Sequence, residues 1–230
     1  MDVEESYAMS PIGYLRTPWE EKFGIPRQPG LVQEAWGVVE FSSGFDGLEA
    51  REGLEGFSHL WLTFIFHSVQ EEQTRLRVRP PRLGGNEKVG VFATRSPFRP
   101  NRIGLSVCEI ESVTPELRLR GVDLLDGTPL LDIRPYLPYV DALPEAQAGF
   151  AIGPPAKQSV KILKSARDQW DELSEEVQSL VTEMLAHQPQ PAYQKDSERI
   201  YRARVTGLEV AWRQGESEVL LLEVARATNS

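Results

Sequence analysis

The sequence predicts a mainly β protein, an antiparallel barrel or sandwich over residues 1–155 with a small α+β lobe over 156–230. Three observations carry this prediction. Short runs of β-branched and aromatic residues recur at regular spacing, separated by Gly, Pro and Asp turn signals. Helical periodicity is clear in a single stretch, and that stretch lies beyond a composition shift at Gly153-Pro154-Pro155. With 230 residues, 40% of them hydrophobic and 26% charged, the chain is an ordinary globular protein able to bury a substantial core.

In order along the chain, Ile12 to Leu15 is expected as a first strand, ended by Thr17-Pro18. Phe23-Gly24-Ile25-Pro26-Arg27-Gln28-Pro29-Gly30 follows, a loop whose prolines and glycines set a defined path and bring Arg27 and Gln28 to its tip. Ala35 to Phe41 is the next strand, and Phe45 to Glu55 a turn with a short helix. Phe57 to Phe66, apolar nearly throughout, is expected as a strand buried on both sides, with His67 and Ser68 leaving the core at its end. Leu76 to Arg79 alternates apolar and basic residues like a half-exposed strand, and a loop through Gly84, Gly85 and Asn86 comes next.

The stretch Val89 to Ser106 organises the rest. Val89 to Thr94 reads as a strand, Arg95 to Arg102 as a stiff loop, and Ile103 to Ile110 as a second strand. Pro97 and Pro100 fix their own φ and push Ser96 and Arg99 toward extended backbone. Three guanidinium groups thereby sit on a rigid frame, and their forks of N–H donors suit phosphate and carboxylate. Arg118 to Leu125 and Pro129 to Ile133 are further strands around the Asp126-Gly127 turn. In the second lobe, Ser174 caps a helix with acids in its first turn, and Val177, Leu180, Val181, Met184 and Leu185 share one face. Pro189 and Pro191 are expected to end it, before a hairpin of Arg199 to Trp212 and Val219 to Val224 around Gln214-Gly215.

Net charge is −9, which excludes binding nucleic acid by bulk attraction. From Arg75 to Arg102, however, eight basic residues stand against Glu87 alone, a local +7 that leaves −16 for the rest. A basic strip on an acidic body suits selective binding to a phosphate backbone. No apolar run reaches the roughly 18 residues of a membrane span, and MDVEESYAM lacks the order of a signal peptide. The single cysteine, Cys108, lies in an apolar strand and rules out an internal disulfide, so a cytoplasmic protein without a membrane role is expected.

Glycine-rich dinucleotide and phosphate-loop motifs are absent, and so is a Gly-x-Ser-x-Gly elbow. One cysteine and three scattered histidines do not make a standard zinc site, so no metal is expected. From the residues alone a polyanion partner follows, but no reaction. A non-catalytic RNA-binding barrel, pairing the basic groove with Phe98, Tyr136 and Tyr139 as stacking surfaces, remains open.

Several multi-residue motifs occur together: Pro26-Arg27-Gln28-Pro29-Gly30, Phe57 to Trp61, Arg79 to Asn86, Gly90 to Asn101, Asp126-Gly127-Thr128-Pro129 and Asp132 to Tyr136. Taken in order, they resemble the TsaA-like (TrmO) family of S-adenosylmethionine-dependent tRNA methyltransferases. The resemblance covers most of residues 10–141, and Pro189 to Tyr193 is similar to the bacterial C-terminal lobe. It implies a single-sheeted antiparallel β-barrel working as a homodimer. The implied reaction is methylation of N6 of threonylcarbamoyladenosine, beside the anticodon of threonine tRNA.

The resemblance further implies a cofactor site for S-adenosylmethionine made by Pro26, Arg27, Gln28, His67, Ser68, Arg95, Leu105, Asp123, Leu124, Leu125 and Asp126. Substrate tRNA is expected on Arg77, Arg79, Arg99, Arg102 and Tyr136, and no catalytic acid or base is singled out. Arg102 departs from the family pattern, which has proline after Pro100-Asn101.

Overall fold

The computed structural model describes residues 7–83, 87–187 and 198–227, with the side chains of Glu71 and Arg82 excepted. Its strands in chain order are β1 (Gly13–Arg16), β2 (Trp36–Phe41), β3 (His59–Ile65), β4 (Arg77–Val78), β5 (Val89–Gly90), β6 (Ile103–Ser112), β7 (Arg118–Arg120) and β8 (Thr128–Pro135). These are followed by the short helix α1 (Pro138–Asp141), β9 (Ser159–Ile162), α2 (Lys164–Asp171) and α3 (Glu175–Ala186), and then β10 (Ile200–Val205), β11 (Leu208–Gln214) and β12 (Glu218–Arg226). The protein is thus mainly β with few helices.

Six strands pair antiparallel in the order β1-β2-β7-β6-β3-β8, and β8 returns to β1, so the sheet closes on itself. Alternation in the sequence explains which side chains fill it. Leu60, Leu62 and Phe64 on β3, Leu15 on β1, Leu119 on β7 and Leu130 on β8 are all buried. Each full burial of such a side chain stabilises by about 1.5–3 kcal/mol. The stretch expected to be buried on both sides is therefore corrected: Trp61, Thr63 and Ile65 are only half-buried. A closed sheet has one inner face, and these residues lie on the other.

Other expectations shift for local reasons. Only Val89–Gly90 is strand; Val91–Ala93 turns as a 3-10 helix. The Thr94 hydroxyl donates to the Val91 carbonyl (2.8 Å), so a side chain competes with the ladder there. The strand from Arg118 stops at Arg120, because Gly121 turns the chain at φ +72°. The segment from Arg199 to Trp212 is two strands, reversed at Thr206-Gly207, both at positive φ as a two-residue hairpin turn requires. The hairpin around Gln214-Gly215 forms as β11 and β12.

In the second lobe β9 joins β12 in parallel and completes a four-stranded sheet, order β10-β11-β12-β9. Neither β9 nor α2 was expected from the sequence. The Ser174 hydroxyl accepts from the Val177 amide (3.4 Å), capping α3, whose buried face is Leu180, Val181, Met184 and Leu185. The expected helix stop at Pro189 and Pro191, the motif Pro189 to Tyr193, and Gly84 to Asn86 lie outside the described residues. One apolar cluster runs from Leu60 in the closed sheet through Trp19 to Trp212 and Met184 in the second.

Candidate active site

At the end of β3, where the chain leaves the sheet, a cavity of about 220 Å³ opens. Phe64, Phe66, Phe98, Ile25, Leu124 and Leu125 supply apolar walls, and His67, Ser68, Lys22, Asp123 and Thr128 supply polar ones. Buried Ser106 of β6 stands behind this wall and meets Asp123. Pairing places Ser106 opposite Leu62, and the serine, pointing inward, donates its hydroxyl to Asp123 Oδ1 at 2.6 Å. Burial pushes the Asp123 carboxyl up to about 6, against the Ser106 bond and nearby Arg95, which both lower it. His67 is held below its ordinary value by burial and by the charge of Lys22. Lys22 in turn donates from Nζ to the Ser68 carbonyl at 2.7 Å.

The Asp123 to Asp126 turn is held by its neighbours. Thr17 donates its hydroxyl to the Leu124 carbonyl (2.9 Å), and Trp19 Nε1 donates to the Val122 carbonyl (3.0 Å). The Asp126 carboxylate accepts from the Thr17 amide (3.0 Å) and from Arg16 (3.4 Å). That carboxylate shapes the turn, so what Asp126 offers a ligand comes chiefly from its backbone.

Arg95 donates to the side-chain carbonyl of Gln28, joining the rigid Arg loop to the Pro26-Arg27-Gln28 loop. Arg99 folds back onto the Thr94 carbonyl (3.2 Å), which stiffens the loop from within. Arg102 sits at φ +53° and donates to the Val69 carbonyl at 2.9 Å. A proline ring locks φ near about −65° and could not adopt this conformation, so the departure at Arg102 also changes the local backbone. Arg75 lies over the Phe98 ring at 5.3 Å, and Arg77 donates to the Lys88 carbonyl (2.9 Å) across the β4–β5 ribbon. The basic strip thereby leads to the cavity wall at Phe98.

Of the residues expected at the cofactor, His67, Ser68, Asp123, Leu124 and Leu125 line the cavity. The Arg95–Gln28 bond links the Pro26-Arg27-Gln28 loop to it, and Asp126 closes the adjoining turn. Leu105 is placed differently. It lies on the outer face of β6, 57% exposed and opposite in direction to Ser106. Tyr136 also lies apart: its amide bonds the His59 carbonyl (2.9 Å) and its ring meets Trp61. That is the far end of β3 from the cavity, about 20 Å away by strand rise. Sequence reasoning missed Lys22, Phe64, Ser106 and Thr17. Alternation along β6 puts Ser106 inside the sheet, and that signal was available; the register bringing it to Asp123 was not. Among the described residues no group of three His, Cys, Asp or Glu side chains could hold a metal ion.

The donor set can be tested against the group the resemblance implies. S-adenosylmethionine carries a cationic sulfonium, an apolar purine face and a carboxylate. The negative charge of the ionised Asp123 carboxylate suits the cation, aromatic and aliphatic walls suit the purine, and Arg27 and Arg95 on the adjoining loops suit the carboxylate. The residues fit, with the cavity holding part of the molecule and the loops beside it the rest.

Comparison with known proteins identifies the family. The model of the tRNA-methyltransferase O N-terminal domain matches residues 14–142, and that of the TrmO C-terminal domain matches 155–227. The tRNA (adenine(37)-N6)-methyltransferase of Escherichia coli is 42% identical over 231 residues, covering 95% of this chain and 98% of that protein. A Pseudomonas aeruginosa protein, RcsF, provisionally named an S-adenosylmethionine-dependent methyltransferase, is 48% identical over 227 residues, covering 96% and 98%. A crystal structure of TrmO from P. aeruginosa superposes with a TM-score of 0.82 at 39% identity, over 99% of this chain and all of that one. Both models match in order and together span most of the sequence, so the chain belongs to the tRNA-methyltransferase O family.

Proposed function

We propose that this protein transfers a methyl group from S-adenosylmethionine to N6 of an adenosine beside the tRNA anticodon, the preferred acceptor being threonylcarbamoyladenosine in threonine tRNA. The observation that carries this reading is the cavity at the end of β3. There the His67-Ser68 corner and the Asp123–Leu125 turn meet the Arg95–Gln28 pair. When bound, S-adenosylmethionine supplies an electrophilic methyl group. Arg27 and Arg95 hold its carboxylate, the Asp123 to Asp126 backbone reads its purine, and ionised Asp123 favours its positive charge. Pro26 and Gln28 keep the loop in register, and the phenylalanines exclude water.

Methyl transfer needs in-line placement of nitrogen and methyl carbon more than a strong base, and good placement alone contributes about 7–11 kcal/mol in favourable cases. The N–C bond would form as the sulfur–methyl bond breaks, leaving a neutral thioether, and N6 would lose its proton to a weak acceptor. Arg77, Arg79, Arg99 and Arg102 offer positive charge to tRNA phosphates or to the carboxylate of the threonylcarbamoyl group. A closed β-barrel scaffold supports this reading by placing the cavity at a rigid rim. Two further parts belong to it. The enzyme works in the cytoplasm as a homodimer, which exposed Leu105, outside its own chain's cavity, supports. The domain division is a catalytic barrel over 1–155 and an accessory lobe over 156–230. No helix among the described residues is long and apolar enough to cross a membrane.

Incubation with methyl-labelled S-adenosylmethionine and bulk tRNA tests the reading. Label is expected on adenosine N6, together with calorimetric heat for the donor alone. A folded protein that binds tRNA but shows neither result would instead be an RNA-binding barrel.

A further inference from the structure

The loop carrying Arg27 and Gln28 is held between the two sheets. On its leading side, Phe23 stacks on Trp212 of β11 at 5.6 Å, nearly parallel (8°), and on Tyr201 of β10 at 6.2 Å. Gly24 follows at φ +104°, so close to the second lobe that an added Cβ would stand 3.3 Å from the Ala203 side chain and 3.5 Å from Met184 Sδ. The preceding segment is fixed too, with Trp19 bridged to Val205 and the Thr206 amide bonded to the Pro18 carbonyl at 2.8 Å. On the trailing side the Glu34 amide donates to Glu183 Oε2 of α3 (3.1 Å), and the Glu34 carboxylate pairs with Arg120 (2.5 Å). Between these anchors, the Gly30 amide bonds the Gly121 carbonyl at 2.8 Å, next to the turn that holds Asp123.

We infer that the C-terminal lobe is a clamp that presets the Pro26-Arg27-Gln28 loop for the methyl donor, with Glu183 and Phe23 as positioning residues. The inference rests on the proposed function, since it needs that loop to hold the donor. Its physical basis is preorganisation. A loop fixed before binding does not lose its freedom at binding, so loosening it weakens affinity without touching the chemical step. The lobe would then matter for the donor rather than for tRNA.

Three variants decide it. Glu183→Ala leaves the Glu34 N–H without an acceptor, Glu183→Gln keeps one, and Phe23→Leu removes the stack while retaining an apolar side chain. Donor affinity by calorimetry is expected to fall about five- to tenfold in Glu183→Ala and Phe23→Leu. KM for the donor should rise in step, with kcat at saturation and KM for tRNA unchanged. Glu183→Gln should restore donor affinity to within about twofold of wild type. If Glu183→Ala does not fold, Phe23→Leu decides the matter by the same readouts. Wild-type donor affinity in the variants, a parallel rise of KM for tRNA, or a Gln variant as weak as Ala would each overturn the clamp alone. A wild-type protein that binds no donor would overturn the proposed function, and the clamp with it.

Discussion

Asp123 brings burial and ligand charge into direct opposition. Burial penalises the charged form and pushes its carboxyl up to about 6 in the folded protein, from 3.8 ordinarily. Between those values the folded state holds more protons than the unfolded one, so stability falls as pH rises through this window and is level above it. Asp123→Asn should therefore stabilise the protein near neutral pH, and the gain should vanish toward about pH 4. Thermal melts across that range check the sign. A cationic donor favours the ionised carboxylate, so its affinity should strengthen as pH rises through about 6. His67 and Lys22 face the same cavity, and loss of the His67 proton acts in the same direction. Calorimetry with Asp123→Asn separates them: the variant should lose most of the pH dependence, and an unchanged profile would assign it to His67. Cys108 is simpler. It is buried, and burial pushes its thiol well above the usual range, so a packing role is expected rather than one as nucleophile or redox partner. Cys108→Ser should cost about 1–2 kcal/mol by denaturant melt and leave turnover per folded molecule intact.

At the scale of elements, β3 and β6 meet across Gly104. A Cβ there would stand 2.3 Å from the Phe64 ring, and that ring is a cavity wall. Gly104→Ala is expected to cost about 1–3 kcal/mol through overpacking. It should also weaken donor binding as the ring moves; unchanged donor affinity would show the wall to be unimportant. The Arg-bearing elements divide differently. Arg77 and Arg79 belong to the exposed ribbon end of the strip, whereas Arg95 is bonded to Gln28. Arg79→Ala should weaken tRNA binding and reduce its salt slope by about one. Arg95→Ala should lower the methylation rate even with tRNA saturating, and a shift only in half-saturating tRNA would make Arg95 one more phosphate contact. Runs of apolar and β-branched residues bounded by turn signals made β1, β2, β3, β6 and β8 legible in the sequence, and a serine cap with a long apolar face did the same for α3. The four residues of β9 carry too little pattern to stand out, and α2 buries only Ala166 and Trp170. The reversal at Thr206-Gly207 hid inside an otherwise unbroken β run, and a side-chain bond from Thr94 ended an expected strand.

For the whole molecule, motifs far apart in the chain meet because the sheet closes. The end of β3 and the turn before β8 thereby come to one rim, beside the loop that follows β1. The family resemblance pointed to His67, Ser68 and Asp123 to Leu125, but the Ser106–Asp123 contact depends on strand register, which no local pattern reveals. Leu105, expected at the donor by resemblance, stands on the outer face of β6, and Tyr136, expected against tRNA, stands at the far end of β3. The join between sheets was likewise hidden, since Phe23 against Trp212 pairs residues from opposite ends of the sequence. On the proposed function, this rim transfers methyl groups to a modified tRNA adenosine. Its most direct test is label transfer to threonine tRNA prepared with and without threonylcarbamoylation, followed by nucleoside mass spectrometry. Methyl is expected on N6 of threonylcarbamoyladenosine, with essentially none on the unmodified tRNA. Equal methylation of both, or none in either from a protein that binds the donor, would contradict it.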